Sequence, residues 1–237
     1  MSVPKAEDKK PKIEAAFFDV DNTLVRGSTS ILFGKVAFTG GTIKRRDIWR
    51  FMWEQMMFIR RGEKNSKMSD FADRALSLTK GHPVAELLQL IDVVYQQEIK
   101  PRLWPDTVEA VKHHLAEGRE VWLITAAPVE LAQAIAKDLG APGALGTLVG
   151  HDGDVLTGEL VGEPLHGKAK RKAAKNIANE RNISLKRSWA YSDSVNDLPL
   201  LTLVGNSVAV NPDSQLERYA EAAGWEIMKF KKRDLKR

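Results

Sequence analysis

Short apolar runs alternate with helical patterns along the second half of the chain. Ala15 to Phe18, Glu120 to Ile124 (EVWLI), Ser188 to Ser192 (SWAYS) and Ser207 to Val210 read as buried strands. They are too short for helices and hydrophobic on consecutive positions, as strands covered on both faces are. A helix starts at Trp104-Pro105-Asp106-Thr107, where proline suits the first turn, and runs to about Glu117, with Gly118 as its stop. Val129 to Leu139 is the next helix, closed by Gly140; Lys168 to Asn179 and Pro212 to Ala223 follow, with a short helix to about Leu203 between them. Within 141–166, strand pieces at Thr147 to Val149, Val155 and Thr157 to Val161 flank the His151-Asp152-Gly153-Asp154 turn and predict a strand with a hairpin excursion. Trp225 to Met228 offers an edge strand. Strand, loop and helix in repetition predict an α/β fold with a Rossmann-like parallel sheet.

Ser30 to about Ile99 differs. It carries no strand-like alternation, and Gly40-Gly41, Gly62 and Gly81 to Pro83 break it into helices and turns. Ile43, Trp49, Met52, Trp53, Met56, Met57 and Ile59 fall largely on one helical side, with Arg46, Arg50 and Arg60 toward the other. An amphipathic helix packed on its neighbours is the favoured reading. Its surplus of methionine and aromatic side chains also suits a pocket wall or a lipid contact. The expected organisation is a core of 13–29 and 101–228, a helical insert of 30–100, a disordered lead of 1–12 and a basic tail of 229–237.

Composition narrows the chemistry. The 237 residues include no cysteine, which excludes disulfides, thiolate catalysis and cysteine-held zinc; the five histidines show no HExxH or comparable spacing. The first residues lack the apolar run of a signal peptide. The longest nearly apolar segment, Phe51 to Ile59, is far below the span of about 20 residues a membrane helix needs. The expected location is therefore cytoplasmic. Net charge is +5, concentrated around Lys168 to Lys175, Lys44 to Arg50 and the tail. No nucleic-acid-binding motif accompanies these clusters, so no nucleic-acid partner is expected. The same charge suits an anionic phosphorylated substrate or an acidic membrane surface touched peripherally by a monomer or dimer.

Polar cargo gathers where the strands end. Asp19 and Asp21 are two apart, so on an extended segment both project to one side. Their repulsion would be relieved by a divalent cation, and an all-oxygen donor set favours magnesium, whereas the bland alternative is an Asp- and Asn-rich turn capping a helix. Thr125 follows EVWLI, and Asp193, Asn196 and Asp197 follow SWAYS, with Lys168 opening the helix between them. Each has an innocent explanation as a cap, a turn or a surface lysine. Together they supply a nucleophile, a second carboxylate, a hydroxyl, an ammonium and metal ligands beyond the carboxyl ends of one sheet. That set can move a phosphoryl group through an aspartyl-phosphate.

In these residues the chain resembles the phosphatases of the haloacid dehalogenase (HAD) superfamily, in the branch that includes phosphoserine phosphatases. The DxDxT motif stands as Asp19-Val20-Asp21-Asn22-Thr23, the second motif as the strand end LIT at Thr125, the third as Lys168 in HGK, and the acidic motif as Asp193-Ser194-Val195-Asn196-Asp197. The resemblance implies a HAD core with the helical insert as its cap. It makes Asp19 the nucleophile and Asp21 the acid and base. Magnesium would be held by Asp19, the main-chain carbonyl of Asp21 and Asp193, with Asp197 in or next to the outer shell. Thr125 and Lys168 would hold phosphate, and Asn196 would orient Asp19 or touch phosphate.

The branch's substrate-binding glutamate, nine residues past the nucleophile, falls on the neutral Ser28, and Arg74 lies near its carboxylate-binding arginine. With Trp53 and Met56 as candidate pocket residues, the expected substrate is a small phosphorylated metabolite with an apolar or aromatic part, of the lysophospholipid or histidinol phosphate type. Phosphoserine is the alternative, and a phosphomutase or a nucleic-acid-binding module would be the reading from another class.

Overall fold

The computed structural model describes residues 12–39 and 79–236. The substrate expectations placed on Trp53, Met56 and Arg74 lie outside the described residues.

The centre of the sheet is β1, Ala15–Asp19, whose five residues are all buried. Helix α1 (Thr29–Thr39) follows, and after the undescribed stretch α2 (Val84–Val94) leads through a wide turn at Tyr95–Ile99 and a tight one at Lys100–Arg102 to α3 (Pro105–Ala116). Then come β2 (Glu120–Pro128), α4 (Val129–Leu139), β3 (Gly143–Asp152), β4 (Val155–Val161), α5 (Lys168–Glu180), β5 (Trp189–Ser192), α6 (Leu198–Leu201), β6 (Asn206–Val210), α7 (Ser214–Ala223) and β7 (Glu226–Met228). The sheet runs β4-β3-β2-β1-β5-β6-β7. Every pairing is parallel except β3 with β4, the hairpin excursion.

Alternate residues of β1 feed two hydrophobic layers, as a strand buried on both faces requires. Ala16 and Phe18 join Val111 of α3, Leu131 and Ile135 of α4, and Ile91 and Val94 of α2. Ala15 and Phe17 join Ala174 and Ile177 of α5, Leu200 and Leu201 of α6, and Leu216 and Ala220 of α7. With β2 on one side and β5 on the other, β1 stands where the strand order reverses, the position at which open α/β sheets carry their ligands. Among the described residues no helix is long and apolar enough to cross a membrane.

Two strands are longer than their hydrophobic patterns indicate. β3 begins at Gly143, where glycines suggest a loop. A Cβ at Gly143 would stand 2.8 Å from the Trp122 ring, and one at Gly146 would stand 2.6 Å from the Val129 backbone, so these glycines are strand residues chosen for close approach. β2 continues past Ile124 to Pro128, but its register against β3 breaks between those residues, leaving Thr125 in an irregular stretch at the strand tip.

A buried histidine ties α3 to the sheet. Phe18 and Tyr191, register partners on β1 and β5, stack at 4.1 Å, and His114 Nε2 lies 2.8 Å from the Tyr191 hydroxyl. Its other nitrogen, Nδ1, lies 3.3 Å from Arg119 Nη1. Guanidinium only donates, so Nδ1 must accept and the ring is neutral with its proton on Nε2. Burial, with help from Arg119 and His113, lowers the His114 pKa to about 4. Between about pH 6.5 and 4 the unfolded chain therefore binds a proton that the folded chain refuses. Stability is expected to fall as pH drops through that window, by roughly 2 to 3 kcal/mol from this residue. Urea midpoints measured against pH should show it, and His114→Gln should flatten that part of the slope; an unchanged slope in the variant would overturn the assignment.

Candidate active site

The chain leaves β1 at Asp19 and folds back at once. Leu24 and Val25 both donate backbone N–H bonds to Val20 O, at 3.0 and 2.9 Å, and Asn22 takes the left-handed conformation (φ 60°) that asparagine tolerates better than most residues. Asn22 Oδ1 accepts the Gly27 N–H at 3.1 Å, closing the loop. This tight return brings Thr23 under the strand tip, where its hydroxyl donates to Asp19 Oδ2 at 2.9 Å.

The other oxygen of Asp19 meets an ammonium. Lys170 Nζ donates to Asp19 Oδ1 and to Asp197 Oδ2, each at 2.6 Å, and all three side chains are buried. Ser192, the last residue of β5, donates to the same Asp197 oxygen at 2.7 Å. Burial tends to strip the charge from Lys170, but the two carboxylates outweigh it and hold the ammonium above its usual range. Asp19 is pushed up to about 6, chiefly by burial, against the pull of Lys170 and with Asp197 and Asp21 adding to the rise. Asp193 is pushed up to about 7 by burial and then by the charges of Asp19 and Asp197.

The lysine expectation moves from Lys168 to Lys170. Lys168 is the first residue of α5 and is exposed. Two positions further on, about 200° around the helix, Lys170 shares the buried face with Ala174, Ile177 and Ala178. That i, i+4, i+7, i+8 spacing was the available signal, since a lysine on an apolar stripe needs a buried partner.

The remaining positions divide. Asp21 Oδ1 accepts both the backbone N–H (2.9 Å) and the hydroxyl (2.7 Å) of the buried Thr29, at the start of α1. Thr29 thus holds Asp21, and Ser28 beside it is only half-buried. Thr125 is buried, and its oxygen accepts the Ala127 N–H at 3.1 Å, which leaves the hydroxyl proton to donate elsewhere. Thr147 braces this loop by donating to Ala126 O at 2.7 Å. Asn196 is exposed, and among the described residues its side chain makes no hydrogen bond to Asp19.

Asp213, which the sequence pattern places inside the Pro212 to Ala223 helix, is the N-cap of α7 and also braces the acidic loop. Its Oδ2 accepts the Val195 N–H and its own N–H donates to Asp193 O, both at 2.8 Å.

Asp19 thus feels the charges of Asp197 and Asp21, and Asp193 those of Asp19 and Asp197, beside the buried Lys170 ammonium. Asp197 Oδ1 is buried without a hydrogen-bond partner among the described residues. No three acidic or histidine side chains there converge into a cation cage by themselves. Magnesium does not need such a cage, because it takes one or two carboxylates and keeps water or substrate oxygens on its other positions. The excess negative charge and the raised Asp193 fit a divalent cation at this point.

The sequence profile of the haloacid dehalogenase-like hydrolases matches residues 16–202. Phosphoserine phosphatase SerB1 of Mycobacterium tuberculosis (strain ATCC 25618 / H37Rv) is 44% identical over 228 residues, 94% of this chain and 74% of that protein. Histidinol-phosphatase of Neisseria meningitidis serogroup C (strain 8013) is 28% identical over 222 residues, 91% of this chain and 98% of the other. A crystal structure of a protein of unknown function from Bordetella pertussis Tohama I superposes with a TM-score of 0.81 at 27% identity, covering 92% of this chain and 99% of that one. The chain belongs to the haloacid dehalogenase-like hydrolases, and it is a phosphatase of that family.

Proposed function

We propose that this chain hydrolyses phosphoserine through an aspartyl-phosphate formed on Asp19. The observation that carries the chemistry is the buried Asp19 carboxylate at the tip of the central strand, fixed on one oxygen by Thr23 and on the other by Lys170. An Asp19 oxygen attacks phosphorus, the ester P–O bond breaks, and Asp21 gives its proton to the departing serine oxygen. Asp21 then takes a proton from the water that attacks phosphorus, releasing phosphate and restoring the Asp19 carboxylate. Lys170 supplies positive charge, and the free Thr125 hydroxyl proton is available to a phosphate oxygen. Asp19, Asp193 and the Asp21 carbonyl would hold magnesium, which when bound offsets the repulsion between an anionic nucleophile and an anionic ester.

The substrate rests on similarity to the mycobacterial phosphoserine phosphatase. Histidinol phosphate is the second reading, supported by the neisserial relative. The test is phosphate release from phosphoserine, histidinol phosphate and a lysophosphatidic acid, with magnesium and after chelation. Phosphoserine is expected to give the highest kcat/KM, with release lost on chelation and restored by magnesium. A higher value for histidinol phosphate would overturn the substrate assignment, and release unaffected by chelation would overturn the metal assignment.

A further inference from the structure

Asp21 has to give up a proton and later take one back, and its two oxygens are not equally placed to do so. Oδ1 accepts from the Thr29 N–H at 2.9 Å and from the Thr29 hydroxyl at 2.7 Å. A carboxylate oxygen offers about two lone-pair directions, so these two donors fill Oδ1. Among the described residues no hydrogen bond reaches Oδ2. A proton on Oδ1 would displace one of the Thr29 donors and leave it unsatisfied, whereas a proton on Oδ2 displaces neither. The acid form of Asp21 therefore carries its proton on Oδ2.

Thr29 is itself held from several sides. It is fully buried and opens α1, whose Val36 lies in the same apolar layer as Val20 and Leu24 of the strand-tip loop. The chain between Asp21 and Thr29 is tied to the connection that returns to α3: the Arg26 N–H donates to Arg102 O at 2.8 Å, and the Trp104 N–H to Leu24 O at 2.9 Å. The hydroxyl thus meets Asp21 from a fixed position, which is what orienting a proton donor requires. The plainer reading is that Asp21 only caps α1. Asp213 shows how this chain caps a helix: its Oδ1 accepts the backbone N–H groups of Gln215 and Leu216, with no hydroxyl involved. At Asp21 a side-chain hydroxyl is added to one backbone N–H of the same residue. A valine would fill the same buried space, and among the described residues Asp21 is the partner the hydroxyl has.

We propose that Thr29 is a positioning residue for the acid and base steps: its hydroxyl occupies Asp21 Oδ1 and so keeps the transferable proton on Oδ2. As an Asp19 oxygen bonds to phosphorus and the ester P–O bond breaks, the Oδ2 proton passes to the departing oxygen; Oδ2 later takes a proton from the attacking water. This role rests on the reading of Asp21 as the acid and is independent of which alkyl phosphate is cleaved.

The experiment compares kcat/KM for an alkyl phosphate, phosphoserine or histidinol phosphate, with kcat/KM for 4-nitrophenyl phosphate, in the full chain and in Thr29→Val, Thr29→Ser and Asp21→Asn. This constant covers the steps through departure of the leaving group. An alkoxide needs a proton as it leaves and 4-nitrophenolate does not, so the alkyl-to-aryl ratio reads the acid. Any unfolded fraction lowers both esters alike and leaves the ratio unchanged. Asp21→Asn is expected to lower the ratio about a hundredfold, the low end of what a general acid contributes. Thr29→Val should lower it about tenfold, the size of one hydrogen bond to a charged group, and Thr29→Ser should restore the parent ratio. A ratio unmoved in Thr29→Val but lowered in Asp21→Asn would overturn the role of Thr29 and leave the mechanism standing. A ratio unmoved in Asp21→Asn would overturn the acid assignment itself. Failure of Thr29→Ser to restore the ratio would place the effect in packing and overturn the role of the hydroxyl.

Discussion

Lys170→Met is expected to lower both stability and turnover severely, while Lys168→Met leaves both near the parent values. The Lys170 ammonium lies 2.6 Å from a carboxylate oxygen of Asp19 and 2.6 Å from one of Asp197, with all three groups buried. Removing it leaves two carboxylates without their counter-charge, a loss of about 3 to 5 kcal/mol for a broken buried pair. Lys170 is also the group that holds Asp19 down against burial and its acidic neighbours. Without it, Asp19 keeps a proton to higher pH, and a protonated carboxyl is a poor nucleophile. Methionine nearly matches the lysine stem in volume, so the loss reports charge rather than a cavity. Urea denaturation and phosphate release on the two variants check this. Equal effects at positions 168 and 170 would mean that the bridge does not form.

The contrast between the two lysines shows what the chain discloses about its own fold. The buried strands were legible because β1 and β5 carry consecutive apolar residues that only a doubly covered sheet can hide. The carboxylates were legible because they end those strands. What motif order alone could not give was angular position: Lys168 and Lys170 are two residues apart in sequence and on opposite sides of α5. Thr29 makes the point on a smaller scale, since nothing in the sequence pattern singles out the side chain that reaches Asp21. Gly143 and Gly146 mislead for a different reason. Glycine suggests a loop locally, but here its use is set by the Trp122 ring and the Val129 backbone, which are known only once the layers are packed. Asp213 caps α7 one residue past the Pro212 where the pattern starts the helix, and the same carboxylate also holds the acidic loop through Val195, a contact known only from the fold.

Asp19→Asn is expected to abolish phosphate release, by about a thousandfold or more, while leaving the fold intact. An amide cannot form the acyl-phosphate, and no other group takes over the role of a lost nucleophile. Structurally the substitution is mild. The amide oxygen can accept from Lys170 where Oδ1 now does, and the amide nitrogen can donate to Thr23 Oγ1, reversing the direction of the present bond. It also removes one charge from a crowded acidic centre, where Asp19 is the first of the charges raising Asp193. The Tm of Asp19→Asn is therefore expected to stay within a few degrees of the parent, so that lost turnover cannot be assigned to unfolding. Mass spectrometry of acid-quenched enzyme should find an added phosphoryl group on the parent chain during turnover and none on the variant. Full phosphate release by Asp19→Asn would remove Asp19 from the nucleophile's role and leave the Lys170 bridge as a structural feature only.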